Sequence, residues 1–359
     1  MGSWSELPRS LERSAAAFIR AVRLYLKNGS VRAWIHGISY ALRRLAGRAV
    51  PQTAFLAVTY RCPCRCPFCY AALEGRDRAE EMPTGELKAV IDQVKAIGAI
   101  NLVITGGEPL LRVDFAELVA HAHRIGLITR LATSGILLTR DRVRALSRAG
   151  LNRCGVAIDD ADPAEHDRLR GVPGLFDLAM QGFRLLEEHG IEGRLISHAT
   201  HENLPRGLED MLVLAKRLGL RSVHFNIPAP VGRWDESFEV ALSEEEMERL
   251  RRLRKPRRCP HILIEFPAPR TRCLASKGGI LYINALGEVT MCAVIPFPLG
   301  NLRAEPLSQI WKRHIAVLRL DHRGNCPMGH REAMDAYRAH SAAVLAAGPS
   351  TFSGRKRGN

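Results

Sequence analysis

Tyr60-Arg61-Cys62-Pro63-Cys64-Arg65-Cys66-Pro67-Phe68-Cys69-Tyr70 is the stretch on which the reading of this chain turns, with four cysteines inside eight residues. Within it, Cys62-x3-Cys66-x2-Cys69 places three thiolates on one tight loop. A four-iron cluster held by three cysteines keeps one iron open to an outside ligand, which separates a catalytic cluster from a four-cysteine electron carrier. Zinc is the alternative, because short cysteine spacings hold it too. Cys64 offers a fourth thiolate, but two residues from either neighbour is cramped for the same cluster, so it reads as a bystander. The nine cysteines are an odd number, and their crowding suits metal ligation in a reducing compartment better than a disulfide framework.

Just before the loop lies the apolar run Ala54–Thr59, and from there outward strands and helices alternate. Apolar, β-branched stretches recur at 100–104, 127–132, 153–158, 194–199 and 222–227. Helical patterns fill 84–97, 113–125, 139–149, 163–189 and 204–218, several ending at a glycine such as Gly98, Gly126 or Gly150. Repeated β–α units predict parallel strands joined by right-handed crossovers. Six of them make an α/β fold, a partial (β/α)6 barrel with its site at the strand C-terminal ends. The cysteine loop follows the first strand and so lands at that end.

After the second strand comes Thr105-Gly106-Gly107-Glu108-Pro109-Leu110. Two glycines permit close approach to the backbone, and Glu108 adds a carboxylate suited to an ammonium group. Taken with the cysteine spacing, this turn makes the chain resemble the radical S-adenosylmethionine (AdoMet) superfamily over residues 53–230. The resemblance implies that Cys62, Cys66 and Cys69 bind a [4Fe-4S] cluster whose open iron chelates AdoMet. It implies that Gly106, Gly107 and Glu108 contact the methionyl amine, that Phe68 lies near the adenine, and that Ser134 of Thr133-Ser134-Gly135 faces the cofactor. Ala157-Ile158-Asp159 and His166-Asp167-Arg168-Leu169-Arg170-Gly171 match the family's fourth-strand turn and following helix. Arg170 is the candidate for the AdoMet carboxylate, against the plainer reading of a surface ion pair. Ala157 stands where a serine is common.

Further on, Cys273-x13-Gly287-x4-Cys292 resembles the auxiliary-cluster extension SPASM or its shorter relative, twitch. It contains a predicted hairpin, Gly278–Asn284 and Val289–Cys292 around the turn 285–288. A full extension needs more cysteines than remain. The resemblance therefore implies one auxiliary [4Fe-4S] cluster on Cys273, Cys292 and Cys326, with Cys259 the candidate fourth ligand; ordinary buried thiols are the alternative. Cys154, inside a strand pattern, reads as a core thiol. His198, His201 and His224 fall near strand ends, where a role in proton transfer and a merely structural one are both open.

The chain's 359 residues, 46% of them apolar, suffice for one large domain with appendages. The expected division is a basic helical extension at 1–50, the barrel at 51–235 and a linker helix at 236–258. An auxiliary-cluster domain follows at 259–340, then a disordered basic tail at 341–359. The net charge of +15 is partly concentrated in residues 1–50. No recognition motif accompanies it, so nucleic acid is not an expected partner. Residues 8–48 read as two basic amphipathic helices, either a cap on the barrel or a surface for a membrane or partner. No apolar run spans a bilayer and no secretory signal is present, so the chain reads as cytoplasmic, with peripheral membrane contact through 8–48 as the variant. The expected reaction is reductive AdoMet cleavage, using a flavodoxin- or ferredoxin-type electron donor, followed by hydrogen abstraction from a peptide or natural-product precursor. A small metabolite or membrane lipid is the alternative substrate, and a non-catalytic iron–sulfur or zinc protein the alternative class.

Overall fold

The computed structural model describes residues 31–71, 81–206, 208–234, 238–253, 263–265, 275, 278–295, 297–317 and 331–346. The first six strands are β1 (Thr53–Ala57), β2 (Asn101–Thr105), β3 (Ile128–Thr133), β4 (Arg153–Ala157), β5 (Glu192–His198) and β6 (Ser222–Asn226). They pair in parallel in sequence order, the curved sheet the alternation predicts. Their inward side chains, among them Leu56, Leu102, Ile104, Leu131, Val156 and Phe225, are almost wholly buried in one core.

The helices between them are α2 (Thr84–Ala96), α3 (Phe115–Arg124), α4 (Arg140–Arg148), α5 (Pro163–Arg170), α6 (Leu175–Glu188), α7 (Asn203–Arg206) and α8 (Glu209–Arg217), after an opening helix α1 (Val31–Leu45). The single helix expected over 163–189 is two. Gly171 and Gly174 take left-handed φ of 66° and 76°, and Pro173 between them cannot continue a helix, so the chain breaks there.

The sheet is also longer than six strands. β7 (Leu263–Glu265) adds in parallel beyond β6. At the other edge β8 (Ile280–Ile283) pairs in parallel with β1, Thr53 opposite Ile280. β8 then turns antiparallel into β9 (Glu288–Thr290), and β10 (Gly300–Asn301) closes the ten-stranded sheet. Asn284 makes this hairpin turn: its Oδ1 accepts from Leu286 N at 3.0 Å and Glu288 N at 2.9 Å. The predicted hairpin is thus present, and it belongs to the barrel's own sheet.

Three further helices follow the strands. α9 (Glu244–Arg252), in the expected linker, starts at Ser243 with a reciprocal capping box to Glu246. α10 (Leu307–Val317) and α11 (Arg331–Ala346) come after the hairpin. α11 runs past residue 341, where the tail was expected to begin, and Ser341 Oγ donates to Pro298 O at 2.6 Å. The rest of that tail, residues 8–30, and Cys259, Cys273 and Cys326 lie outside the described residues.

Candidate active site

The cysteine loop sits at the C-terminal mouth of the sheet, and backbone hydrogen bonds fasten it there. Gly107 N donates to Thr59 O at 2.8 Å and Glu108 N to Arg61 O at 2.7 Å. A Cβ on Gly106 would stand 2.3 Å from Thr59 O, and one on Gly107 2.4 Å from Arg61 O. The glycines are therefore required by the cysteine loop's own backbone, packed on the turn more closely than any side chain allows. Glu81 secures the loop's start. Its carboxylate accepts from Thr59 Oγ1 at 2.9 Å and Tyr60 N at 2.6 Å.

Around the loop the thiols differ in character. Cys64 lies between Cys62 and Cys66 and hydrogen bonds to both. That bond, assisted by the Arg170 guanidinium, pulls Cys66 down to about 6, within the range of reactive and metal-ligating thiolates. Cys62 is lowered by the same neighbour, whereas burial pushes Cys69 up. Arg170 Nη1 stands 3.5 Å from Cys66 Sγ, and Arg233 Nη1 donates to Cys66 O at 3.0 Å. Among the described residues no three His, Cys, Asp or Glu side chains meet closely enough to chelate a single ion. A cubane held at separate corners requires no such convergence, and a soft three-sulfur donor set beside two guanidinium groups suits its negative charge.

Arg170 is no surface pair. It is 7% exposed and anchored by Asp159, Nη2 to Oδ2 at 2.5 Å. Burial opposes ionisation of Asp159, but Arg170 and His198 outweigh it and hold the carboxyl well below the usual range. His198 Nδ1 stands 3.0 Å from the other oxygen of Asp159, and Asp159 N donates to His166 Nδ1 at 3.2 Å. Phe68 is enclosed by this group. Its ring lies 4.3 Å from the His198 ring and 5.5 Å from the Arg170 guanidinium carbon. Arg170 Nε is buried with no hydrogen-bond partner, a donor that the protein itself leaves unsatisfied.

Glu108 is fully buried and engaged within the protein. Its carboxylate accepts from Leu110 N at 3.1 Å, Thr133 Oγ1 at 2.7 Å, Ser134 N at 2.9 Å and Ser134 Oγ at 2.6 Å. It ties the end of β2 to the end of β3, and Ser134 is its partner. Beyond the loop, Cys292 stands half-buried just after β9. Half-buried Tyr70 and buried Tyr282 meet edge to face at 6.3 Å, close enough to both Cys69 and Cys292 for those thiols to oppose ionisation of Tyr70.

The sequence reading named His198 with its role open and Asp159 only within a motif, and it missed Glu81 and Arg233. Asp159 and His198 carry separate weak signals, a strand-end carboxylate and a strand-end histidine, and only the β4–β5 pairing joins them. Glu81 and Arg233 have no sequence signal. Of the other histidines, His201 pairs with Glu246 on the surface at 2.6 Å, and His224 lies within β6. Cys154 is wholly buried, and burial raises its thiol far out of the reactive range.

A parallel half-barrel with a three-cysteine loop at its mouth, a Gly-Gly-Glu turn beneath it and a hairpin carrying a further cysteine beside it defines a class: barrel enzymes built around an open-site iron–sulfur cluster. Residues 56–203 match the Radical SAM superfamily, and residues 273–328 match the iron–sulfur cluster-binding domain called SPASM. The chain is 31% identical to an AdoMet-dependent heme synthase of Methanosarcina barkeri, covering 73% of this chain and 82% of that one. It is 30% identical to a PqqA peptide cyclase of Gluconobacter oxydans, covering 73% and 76%. Similar solved structures include anSMEcpe with bound AdoMet, with TM-score 0.64, 15% identity and coverage of 82% and 95%. Streptococcus suis SuiB bound to its precursor peptide SuiA gives TM-score 0.62 and 14% identity, covering 80% and 71%. The chain belongs to the radical SAM superfamily and carries the SPASM extension. It is an enzyme of that superfamily, and its cofactors are a [4Fe-4S] cluster with AdoMet and an auxiliary iron–sulfur centre. No helix among the described residues is long and apolar enough to cross a membrane.

Proposed function

We propose that the chain modifies a peptide, and that Cys62, Cys66 and Cys69 hold the cluster that binds AdoMet. When bound, cluster and AdoMet supply a 5′-deoxyadenosyl radical after one electron from a flavodoxin- or ferredoxin-type donor, and that radical takes a hydrogen atom from the substrate. The protein's own residues do the rest. Arg170, held by Asp159, presents its unpartnered Nε–H to the AdoMet carboxylate, and Phe68 walls the adenine side. Gly106 and Gly107 seat the cysteine loop, while Glu108, fixed by Thr133 and Ser134, sets the turn that faces the methionyl amine. Cys273, Cys292 and Cys326, with Cys259, would hold the auxiliary cluster, which would supply an electron acceptor or an anchor for the substrate.

The observation that carries the peptide reading is the match to the peptide cyclase, 30% identical over 76% of that protein. A second reading has its own observation: the heme synthases, at up to 31% identity, favour a heme precursor. The reconstituted, reduced enzyme is given AdoMet with short peptides encoded beside its gene, deuterated at the side chains, and separately with iron-tetrapyrroles. Deuterium carried from a peptide into 5′-deoxyadenosine supports the first reading; turnover of a tetrapyrrole alone overturns it in favour of the second.

A further inference from the structure

α1 crosses the bottom of the barrel, at the end opposite the cysteine loop. Ala33 packs with Ile100 and Ile128, which lie at the N-terminal ends of β2 and β3. His36 Nε2 is 2.7 Å from Ala99 O, and Arg32 Nη1 donates to Arg124 O at 3.0 Å. On the opposite side of the helix, at successive turns, stand Val31, Ile35, Ile38, Leu42 and Leu45, between 49% and 77% exposed. Eight large hydrophobic side chains are exposed among the described residues; five share this one face and the other three are scattered. A contiguous apolar face of this kind marks an interaction surface.

The charge around it selects the occupant. From Arg13 to Leu73 the sequence contains no Asp or Glu, and Arg44 and Arg48 are exposed at the helix end. The chain's own segment 13–27 brings Arg13, Arg20, Arg23 and Lys27 with no acid, and a second copy brings the same basic face, so either would set like charges together. An aliphatic stripe edged by arginine, with no acid, complements an anionic lipid surface. We infer that α1 docks the enzyme on an anionic bilayer, with the aliphatic stripe in the acyl–headgroup boundary and the mouth of the barrel turned away from it. This goes beyond the proposed reaction and does not depend on which substrate is modified.

Flotation of the full-length, cluster-loaded enzyme with vesicles of phosphatidylglycerol and phosphatidylcholine, against phosphatidylcholine alone, tests it. The expected result is binding to the anionic vesicles only, weakened by salt. The double substitution Ile35→Ser with Leu42→Ser should weaken vesicle binding by about tenfold or more. The pair Arg44→Glu with Arg48→Glu should abolish the preference for anionic lipid. Both variants should keep wild-type iron content and AdoMet cleavage, since neither pair touches the site. A wild type that stays out of the floating fraction overturns the proposal, as does binding that both variants leave unchanged. So does a wild type that is dimeric in solution and becomes monomeric with the stripe substitutions, because a second copy then covers the face. Failure of an introduced Ile35→Cys to react with a thiol reagent in lipid-free enzyme overturns it as well, because the chain itself then covers the stripe.

Discussion

Asp159 and Arg170 form the most consequential pair in the molecule. Removing one partner of a buried ion pair leaves the other charge without compensation, at a cost of about 3–5 kcal/mol. Asp159→Asn is therefore expected to lower stability by that order at neutral pH, read from denaturant unfolding. The unfolded carboxyl titrates near 3.9 and the folded one well below. The stability it contributes is complete above that range and drains as pH falls further, so the gap between variant and wild type should close in acid. A gap that persists there argues against the pair. His166 supplies a second window. Burial lowers it to about 4, whereas the unfolded ring titrates near 6.5, so the unfolded chain takes up the proton first. Stability is complete above about 6.5 and falls between there and about 4, and His166→Gln should flatten that stretch of a thermal-unfolding profile. Arg170→Lys keeps the charge but loses the planar fork. It should raise the AdoMet dissociation constant roughly tenfold or more while iron content stays normal; unchanged AdoMet binding would rule out the assigned role. Gly107→Ala puts a methyl group against the Arg61 carbonyl, which cannot withdraw, so the cysteine loop should detach and iron content should fall even before AdoMet is added.

At the scale of elements, Asn284 organises the hairpin that carries Cys292. Asn284→Ala removes the side-chain oxygen that accepts two backbone hydrogen bonds in the turn and should cost about 1–2 kcal/mol, with the auxiliary iron lost before the first cluster on titration with a chelator. Simultaneous loss of both would contradict a local role. The elements were also where the sequence spoke most clearly. Ala54–Thr59, 100–104 and their successors fall on observed strands because a strand buried on both faces is a continuous apolar run. The cysteine spacing and Gly-Gly-Glu turn were legible because each depends on neighbours along the chain. The break at Gly171–Gly174 was written in glycine and proline, yet the apolar periodicity on either side masked it. β7 is only three residues long, too short for any pattern to declare it. The Asp159–His198 and Glu81–Tyr60 contacts join residues that only the folded sheet brings together, and nothing local to either sequence encodes them.

For the whole molecule, the iron inventory is the plainest check. Anaerobic reconstitution should give about eight irons per chain for two [4Fe-4S] clusters. Cys292→Ala should retain about four irons, together with the AdoMet-perturbed spectrum of the first cluster. A wild type that stops near four would remove the auxiliary centre. The edge of the sheet carries a consequence of another kind. β1 is made early in synthesis, yet its outer neighbour is β8, Thr53 against Ile280. Until the ribosome has released nearly all of the barrel, the nascent protein holds one open, apolar strand edge with its hydrogen-bonding groups unpaired. Such late, long-range closure slows folding and favours pairing between chains. Yield of soluble protein should therefore depend on chaperone supply and growth temperature more than the stability of the finished sheet would indicate.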